Sequence, residues 1–280
     1  MPARRQLVAS PGAWLVWGAV AFFLVNLAAL VAEVVVNSFG TRWFDAWLPE
    51  GLTTQWYSQA WDQFAVFDTL VVTLEVALAV VAISLVVGVP AAYALARRDF
   101  PGKRVLMLAL LVPLVLPPLS YGIPLATVLY EAQMAGTLVG VILANLVPAV
   151  PFVVLVMTPF VEQIDPNIES AARMCGAGTG RVLTRVLTPL LVPGILAAGL
   201  LVLVRTVAMF ELTFLTAGPD SQTLVVALYN AAFAAGIRTD QMIDSMAVLY
   251  MLTTLVLLVI ALRFVNPTQL VSRVREEPVK

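Results

Sequence analysis

The chain of 280 residues contains no histidine and a single cysteine, Cys175. One thiol cannot form an internal disulfide, and without histidine the usual ligands of zinc, copper and iron–sulfur centres are missing. We therefore expect no metal and no cofactor. The chain also lacks a G-x-x-x-x-G-K-[ST] loop, so it cannot hydrolyse ATP through a P-loop. No Ser–Lys or paired-Asp arrangement stands out either. These absences argue against an enzyme.

Charge is scarce as well. Charged residues make up 12% of the chain and hydrophobic residues 61%, and the mean hydropathy is +0.95. A soluble globular domain carries roughly a quarter charged residues, so this chain belongs in a lipid bilayer. The formal net charge of -1 shows no basic excess. The sequence therefore gives no indication of nucleic acid as a partner.

Long apolar segments are what the sequence has instead. Six of them reach the roughly 20 residues that a helix needs to cross a bilayer, which predicts an all-α polytopic membrane protein. They run over residues 13–36, 69–95, 105–130, 136–160, 194–215 and 243–264. The first is too long for a signal-peptide core, so we expect it to remain as a span. Pro113, Pro117 and Pro118 predict a kink in the third span, and Pro148 and Pro151 one in the fourth.

The positions of lysine and arginine predict the orientation, because positively charged loops tend to stay in the cytoplasm. Thirteen of the 16 basic residues fall on one side of the predicted spans. They are Arg4, Arg5, Arg97, Arg98, Lys103, Arg104, Arg173, Arg181, Arg185, Arg263, Arg273, Arg275 and Lys280. The opposite loops hold Arg42 and Arg238, and Arg205 lies inside the fifth span. Both termini and the loop over residues 161–193 are therefore expected in the cytoplasm.

The first outer loop, residues 37–68, is rich in large aromatic residues: Trp43, Trp47, Trp56, Tyr57 and Trp61. Their spacing fits an amphipathic helix at the level of the lipid headgroups. An aromatic belt and a contact with a solute receptor both remain open. Residues 216–242 are mixed in polarity, which leaves open whether part of that loop re-enters the membrane.

The polar loop over residues 161–193 carries the most informative pattern. Asp165 and Pro166 predict the end of the preceding helix, and Asn167 is a candidate cap for a short helix that follows. The small residues Ser170, Ala171 and Ala172 would let the surface of another protein approach that helix closely. Three glycines, Gly176, Gly178 and Gly180, then permit a sharp turn.

This loop resembles the cytoplasmic loop of permease subunits of type I ABC importers, which carries E-A-A, three residues, G, nine residues and I-x-L-P. In this sequence Ser170-Ala171-Ala172 is followed at the required spacing by Gly176 and by the run from Val186 to Pro189. Two positions depart from the pattern: Ser170 replaces glutamate, with Glu169 one place earlier, and Thr188 replaces leucine. The run from Gly88 to Arg97 is similar to the family's second core helix. The resemblance covers roughly residues 67–265.

The resemblance implies a coupling helix, between the fourth and fifth spans, that enters a cleft of a separate ATPase. Its residues would be Glu169, Ser170, Ala171, Ala172, Arg173 and Gly176. It also implies a location in the bacterial cytoplasmic (inner) membrane. The implied partners are a dimer of ATP-binding cassette ATPases, a second permease subunit and an extracytoplasmic solute-binding protein. The expected division is a cytoplasmic N-terminus (1–12), a first span with its outer loop (13–68), a core permease domain (69–265) and a cytoplasmic C-terminus (266–280).

Four polar residues within the apolar segments are candidates for the translocation pathway: Tyr121, Asn145, Arg205 and Glu211. Ionisable groups inside a bilayer are costly and tend to mark pathways or pairs. Arg205 and Glu211 are six residues apart, so they do not share a helix face. Hydrogen bonding between helices remains an alternative for Asn145, and an interhelical pair or snorkelling for Arg205.

The transported solute is the least determined feature. Residues 210–219 resemble the polyamine, ferric-iron and phosphonate branch of the family more than the sugar branch, and Glu211 would favour a cationic cargo. A sugar remains the alternative. The rival class is a stand-alone secondary transporter, against which stand the patterned loop and the lack of an obvious inverted repeat.

Overall fold

The structure is a computed structural model that describes residues 11–42, 49–233 and 239–264. The chain divides into two compact units. The first comprises residues 1–63 and 235–249, and the second comprises residues 64–234 and 250–280. Each unit is described by itself.

The described residues are helical throughout, apart from loops and one isolated antiparallel bridge between Gly40 and Leu52. The predicted all-α class is therefore confirmed. The helices are α1 (Pro11–Phe39), α2 (Gln55–Gln63), α3 (Val66–Arg97), α4 (Lys103–Val115), α5 (Pro118–Glu131), α6 (Leu138–Glu162), α7 (Pro166–Met174), α8 (Thr179–Arg181), α9 (Thr188–Val207), α10 (Glu211–Thr216), α11 (Leu224–Phe233) and α12 (Asp240–Phe264). A π-helical stretch, Val182–Leu187, joins α8 to α9, so residues 179–207 form one continuous rod.

Five helical stretches in the described residues are long and apolar enough to cross a membrane: α1, α3, α6, the rod over residues 179–207, and α12. The predicted third span is instead two helices, α4 and α5, bent by 97° where Leu116 and Pro117 separate them. The sequence predicted a kink at this position, and the structure shows a break. Proline lacks the amide hydrogen that a continuing helix needs, and it pushes the residue before it out of the helical conformation.

The bent pair nevertheless crosses the membrane once. Arg97, the last residue of α3, lies 2.6 Å from Glu169, which follows α6. The ends of α3 and α6 therefore lie on the same side of the membrane. Because α6 crosses the membrane, its first residue lies on the opposite side, and the chain from Lys103 to Glu131 must connect the two sides. The predicted count of six spans is confirmed.

The core of the second unit is formed by α3, α6 and the rod over residues 179–207. Its buried side chains are mostly valine, leucine and alanine, such as Val80, Ala92, Val153 and Leu187. Gly88 allows α3 to approach α6 closely, since a Cβ atom placed there would lie 2.6 Å from Val153 Cγ1. The two helices thus pack as a tight pair.

The predicted fifth span ends earlier than the hydropathy indicated. The sequence placed its end at residue 215, whereas α9 ends at Val207 and a separate short helix, α10, begins at Glu211. The chain then forms a second short apolar helix, α11, within the region whose re-entry the sequence left open. Hydropathy could not locate this break, because the residues on both sides of it are equally apolar.

In the first unit, the short helix α2 is fastened to the end of α1. The indole N–H of Trp56 donates to the carbonyl of Gly40 at 2.8 Å, and the hydroxyls of Ser38 and Tyr57 share a hydrogen bond of 2.7 Å. Trp56 thus bonds to its own chain, while Trp61 stays 41% exposed. Trp43 and Trp47 lie outside the described residues, as do residues 1–10 of the predicted N-terminal segment (1–12) and the whole predicted C-terminal segment (266–280).

Candidate functional site

The short helix α7 lies in the patterned loop and begins with a side-chain cap. The carboxylate of Asp165 accepts a hydrogen bond of 2.9 Å from the backbone N–H of Asn167, and Pro166 occupies the first turn. The sequence predicted Asn167 as the cap of this helix, but the cap is Asp165. Proline pre-organises the first turn of a helix and needs no hydrogen-bond partner there, which places the cap one residue before it.

The end of α7 explains the glycine of the pattern. The backbone of Gly176 has a φ of 82°, in the left-handed region, and its N–H donates to the carbonyl of Arg173. The N–H of Ala177 donates back to the carbonyl of Ala172. These two bonds form a Schellman motif, which satisfies the last carbonyl groups of the helix. No atom lies within 4 Å of the position that a Cβ of Gly176 would take, so this glycine serves the backbone conformation rather than a close contact.

The two sides of α7 differ sharply in exposure. Glu169 is only 4% exposed, and Ala172 is half-buried against the core of the second unit. On the other side lie two apolar side chains, Ile168 at 42% and Met174 at 84% exposure. Among the small residues expected to face outward, Ser170 and Ala171 are exposed, but Ala172 is turned toward its own chain. The exposed side of α7 is thus apolar at both ends and small in the middle.

The buried carboxylate of Glu169 is held by the end of α3. Arg97 Nε donates to Oε1 at 2.6 Å, and the hydroxyl of Tyr93 donates to Oε2 at 2.8 Å. Arg173, one turn further along α7, lies 3.6 Å from Oε2 and donates to the Tyr93 hydroxyl at 3.1 Å. A buried charge must be paired and hydrogen-bonded to be tolerated, and both carboxylate oxygens meet that condition. We call Tyr93, Arg97, Glu169 and Arg173 the α3–α7 latch.

Arg97 makes a further contact. Its second guanidinium nitrogen donates to the carbonyl of Ile164, just beyond the end of α6, at 2.6 Å. One side chain therefore connects α3, α6 and α7. In the sequence, Arg97 counted as a positive charge and as the end of the run similar to the family's second core helix, and Tyr93 had no role of its own. The sequence held one signal for this contact, the acidic residue Glu169 directly before the small residues Ser170, Ala171 and Ala172. Only the packed structure shows that the Glu169 side chain is buried against α3.

A second polar cluster lies within the membrane-spanning part. Arg205 lines a narrow cleft together with Asn145, Pro148, Thr206 and Met209. Asn145 and Pro148 lie in the first half of the 25-residue helix α6, and Arg205 lies in the last turn of α9. It packs over the ring of Phe152 at 5.7 Å. Within the described part of the chain, it forms neither an ion pair nor a side-chain hydrogen bond.

Tyr121 and Glu211 belong to the same region. The Tyr121 hydroxyl is buried and has no hydrogen-bond partner among the described residues, and the Tyr121 side chain packs against the cluster that contains Met209 and Leu212. Asn145 differs, because its amide donates to the carbonyl of Val141 at 2.9 Å and to the Thr213 hydroxyl at 3.3 Å. The structure thus brings the four predicted pathway residues into one region. It also gives Asn145 the interhelical hydrogen bond that the sequence analysis weighed as its alternative.

Comparison with known proteins identifies transport permeases as relatives of this chain. The profile of the family described as binding-protein-dependent transport system inner membrane component matches residues 84–271. The trehalose transport system permease protein SugB of Mycobacterium tuberculosis is 31% identical over 198 residues, covering 70% of this chain and 72% of that protein. The molybdenum transport system permease protein ModB of Escherichia coli K12 is 31% identical over 180 residues, covering 59% of this chain and 79% of that protein.

The fold is also similar to that of a solved transporter. A crystal structure of a bacterial ABC transporter involved in the import of the acidic polysaccharide alginate superimposes with a TM-score of 0.74 at 17% identity, over 94% of this chain and 99% of that chain. Since the family profile matches well over half of the sequence, the chain belongs to the binding-protein-dependent transport system inner membrane components, the permease subunits of ABC importers.

Proposed function

We propose that this permease subunit binds a cytoplasmic ATPase through the exposed side of α7, and that α7 is its coupling helix. The amphipathic character of α7 carries the proposal: Glu169 is directed into the chain, while Ile168 and Met174 are exposed. The helix lies on the side of the membrane that holds most of the lysine and arginine residues, which is the cytoplasmic side by the positive-inside rule. With six spans, both termini would lie on that side as well.

The exposed side of α7 suits a cleft on another protein. Burying a methionine or isoleucine side chain is worth about 1.5–3 kcal/mol, so two such anchors around small residues can supply much of a docking interface. The chain contains no P-loop of its own. The proposed complex therefore contains two copies of an ATP-binding cassette ATPase, this subunit, a second permease and an extracytoplasmic solute-binding protein.

The polar cluster around Arg205 forms part of the proposed translocation pathway. Its guanidinium N–H groups have no acceptor among the described residues, and the Tyr121 hydroxyl is likewise free of partners there. Such donors within the membrane-spanning helices favour a cargo rich in oxygen acceptors, either a sugar or a small oxyanion. Relatives named for trehalose and for molybdenum fit this class. A polyamine or ferric-iron cargo finds no specific support among them, and a cation would be repelled by Arg205.

The test is to purify the tagged chain from membranes in mild detergent and to quantify the ATPase that accompanies it. Met174→Asp should reduce the bound ATPase by about tenfold or more, because a charge replaces an apolar anchor. Gln163→Asp is the matched control, since it adds the same charge at an exposed position before α7. Equal ATPase binding by both variants would remove the docking assignment.

The same complex in lipid vesicles tests the pathway and the rival class. With trehalose and molybdate as probes, Arg205→Gln should lower uptake of the transported probe while the bound ATPase remains. Uptake by the purified chain alone, without any ATPase, would instead support a stand-alone secondary transporter.

A further inference from the structure

We propose that Tyr93 and Arg97 are positioning residues that fix the coupling helix to α3. A displacement of α7 by the ATPase would then move the tightly packed α3–α6 pair directly. The inference rests on the proposed function, because it assumes that an ATPase moves α7.

The α3–α7 latch holds α7 at the end of α3. Each oxygen of the Glu169 carboxylate accepts its own hydrogen bond, from Arg97 at 2.6 Å and from Tyr93 at 2.8 Å. Two bonds to one carboxylate define its direction as well as its distance. Glu169 is 4% exposed, so water cannot readily replace either partner when the helix is pulled. The helix can therefore neither rotate nor slide on α3 without leaving a buried charge unpaired.

The latch also includes α6. Arg97 donates to the Ile164 carbonyl at 2.6 Å, and only residues 163–165 separate the end of α6 from α7. Within the helices, away from the latch, α3 and α6 also meet closely at Gly88 and Val153. Backbones this close move as a unit, because interiors packed to crystal density transmit displacement.

The buried core continues beyond α7. Val182 and Leu187 of the π-helical stretch and Leu191 of α9 are buried in the same cluster as Val153. Ala172 of α7 packs against that cluster. A displacement of α7 therefore reaches the π-helical stretch and α9 through apolar packing, whereas it reaches α3 through a buried, hydrogen-bonded charge.

The first experiment separates docking from transmission. In the detergent-purified complex and in vesicles, Tyr93→Phe and Arg97→Gln should bind the ATPase like the unaltered chain and should still hydrolyse ATP. Uptake of whichever probe the unaltered complex transports, trehalose or molybdate, should fall by about tenfold, since losing a partner of a buried charge shifts a two-state element by at least that factor. The reversed pair Arg97→Glu with Glu169→Arg should recover part of the uptake that either single reversal loses. A merely structural role would lower ATPase binding and hydrolysis in parallel with uptake.

The second experiment requires no alteration of the latch. Spin labels on the natural Cys175, at the end of α7, and on Phe100→Cys, just after α3, should keep one distance when a non-hydrolysable ATP analogue binds. Both positions are exposed. A change in this distance overturns the inference.

The two proposals fail in different ways. If no ATPase accompanies the unaltered chain, the proposed function fails and the inference fails with it. If the ATPase binds but uptake by Tyr93→Phe and Arg97→Gln equals that of the unaltered complex, only the inference is overturned.

Discussion

At the scale of single residues, the glycine of the loop pattern has a conformational task. Gly176 has a φ of 82° and ends α7, and the space around it is open. A residue with a Cβ atom meets its own carbonyl oxygen in this region of backbone space, at a cost of roughly 1–2 kcal/mol. The motif therefore selects glycine for the end of the helix, and the proposed ATPase-binding surface consists of neighbouring residues.

Gly176→Ala should lower the free energy of local unfolding of α7 by about 1 kcal/mol. It should also weaken ATPase binding, because the end of the helix frays. Gly176→Asn should cost less, because asparagine tolerates the left-handed region. Gly178→Ala is the control, since Gly178 has a φ of -70° and open space around it. Hydrogen exchange of α7 in detergent measures the effect. Identical protection in the Gly176→Ala and Gly178→Ala variants would contradict the assignment of Gly176 as the end cap.

At the scale of elements, the second unit depends on the contact between α3 and α6. A Cβ atom at Gly88 would lie 2.6 Å from Val153 Cγ1 and 2.8 Å from Val153 Cβ. Because Val153 is fully buried and branched at Cβ, it cannot move aside through rotation about a flexible side chain. The close approach of the two helices is thus set by one glycine facing one valine.

Gly88→Ala should destabilise the detergent-solubilised protein by about 1–3 kcal/mol through overpacking. Adding Val153→Ala should restore part of that loss, since the two positions are in contact and their effects are not additive. Gly18→Ala in α1 serves as the control, because no atom lies within 4 Å of its Cβ position. Thermal unfolding of the four variants measures the coupling. Additive effects of Gly88→Ala and Val153→Ala would show that the helices do not meet there.

At the scale of the whole molecule, the crossing of the bent pair α4–α5 determines the topology. The latch places the ends of α3 and α6 on one side, so Asp99 and Glu131 are expected on opposite sides of the membrane. If the pair returned to its starting side, every later segment would be inverted.

In a Cys175→Ser background, Glu131→Cys should react with a membrane-impermeant maleimide in intact cells. Asp99→Cys should react only after permeabilisation. Both side chains are exposed, so their difference reports the membrane side alone. A cysteine placed in a C-terminal tag should also react only after permeabilisation, because positively charged ends remain in the cytoplasm. Equal reactivity of the two cysteines in intact cells would contradict the six-span topology.

Much of the architecture followed from the sequence. Long apolar stretches specify helices because lipid offers no partners to the backbone, and the basic residues specify the side. The broken third span and the early end of α9 did not follow fully. Pro117 indicated a bend but not its 97° angle, and no residue type marks the break between Val207 and Glu211.

The sequence by itself determined the membrane class, the six spans, the short helix after the fourth span and the family resemblance, because each depends on local composition or on fixed spacing. Only the tertiary structure decided which way Glu169 faces, that Tyr93 and Arg97 hold it, and that Tyr121, Arg205 and Glu211 lie in one region. Among these contacts, the hydrogen bond between Tyr93 and Arg173 joins residues 80 positions apart in the chain. Hydropathy and spacing describe each segment alone, whereas such contacts depend on how the segments pack against one another.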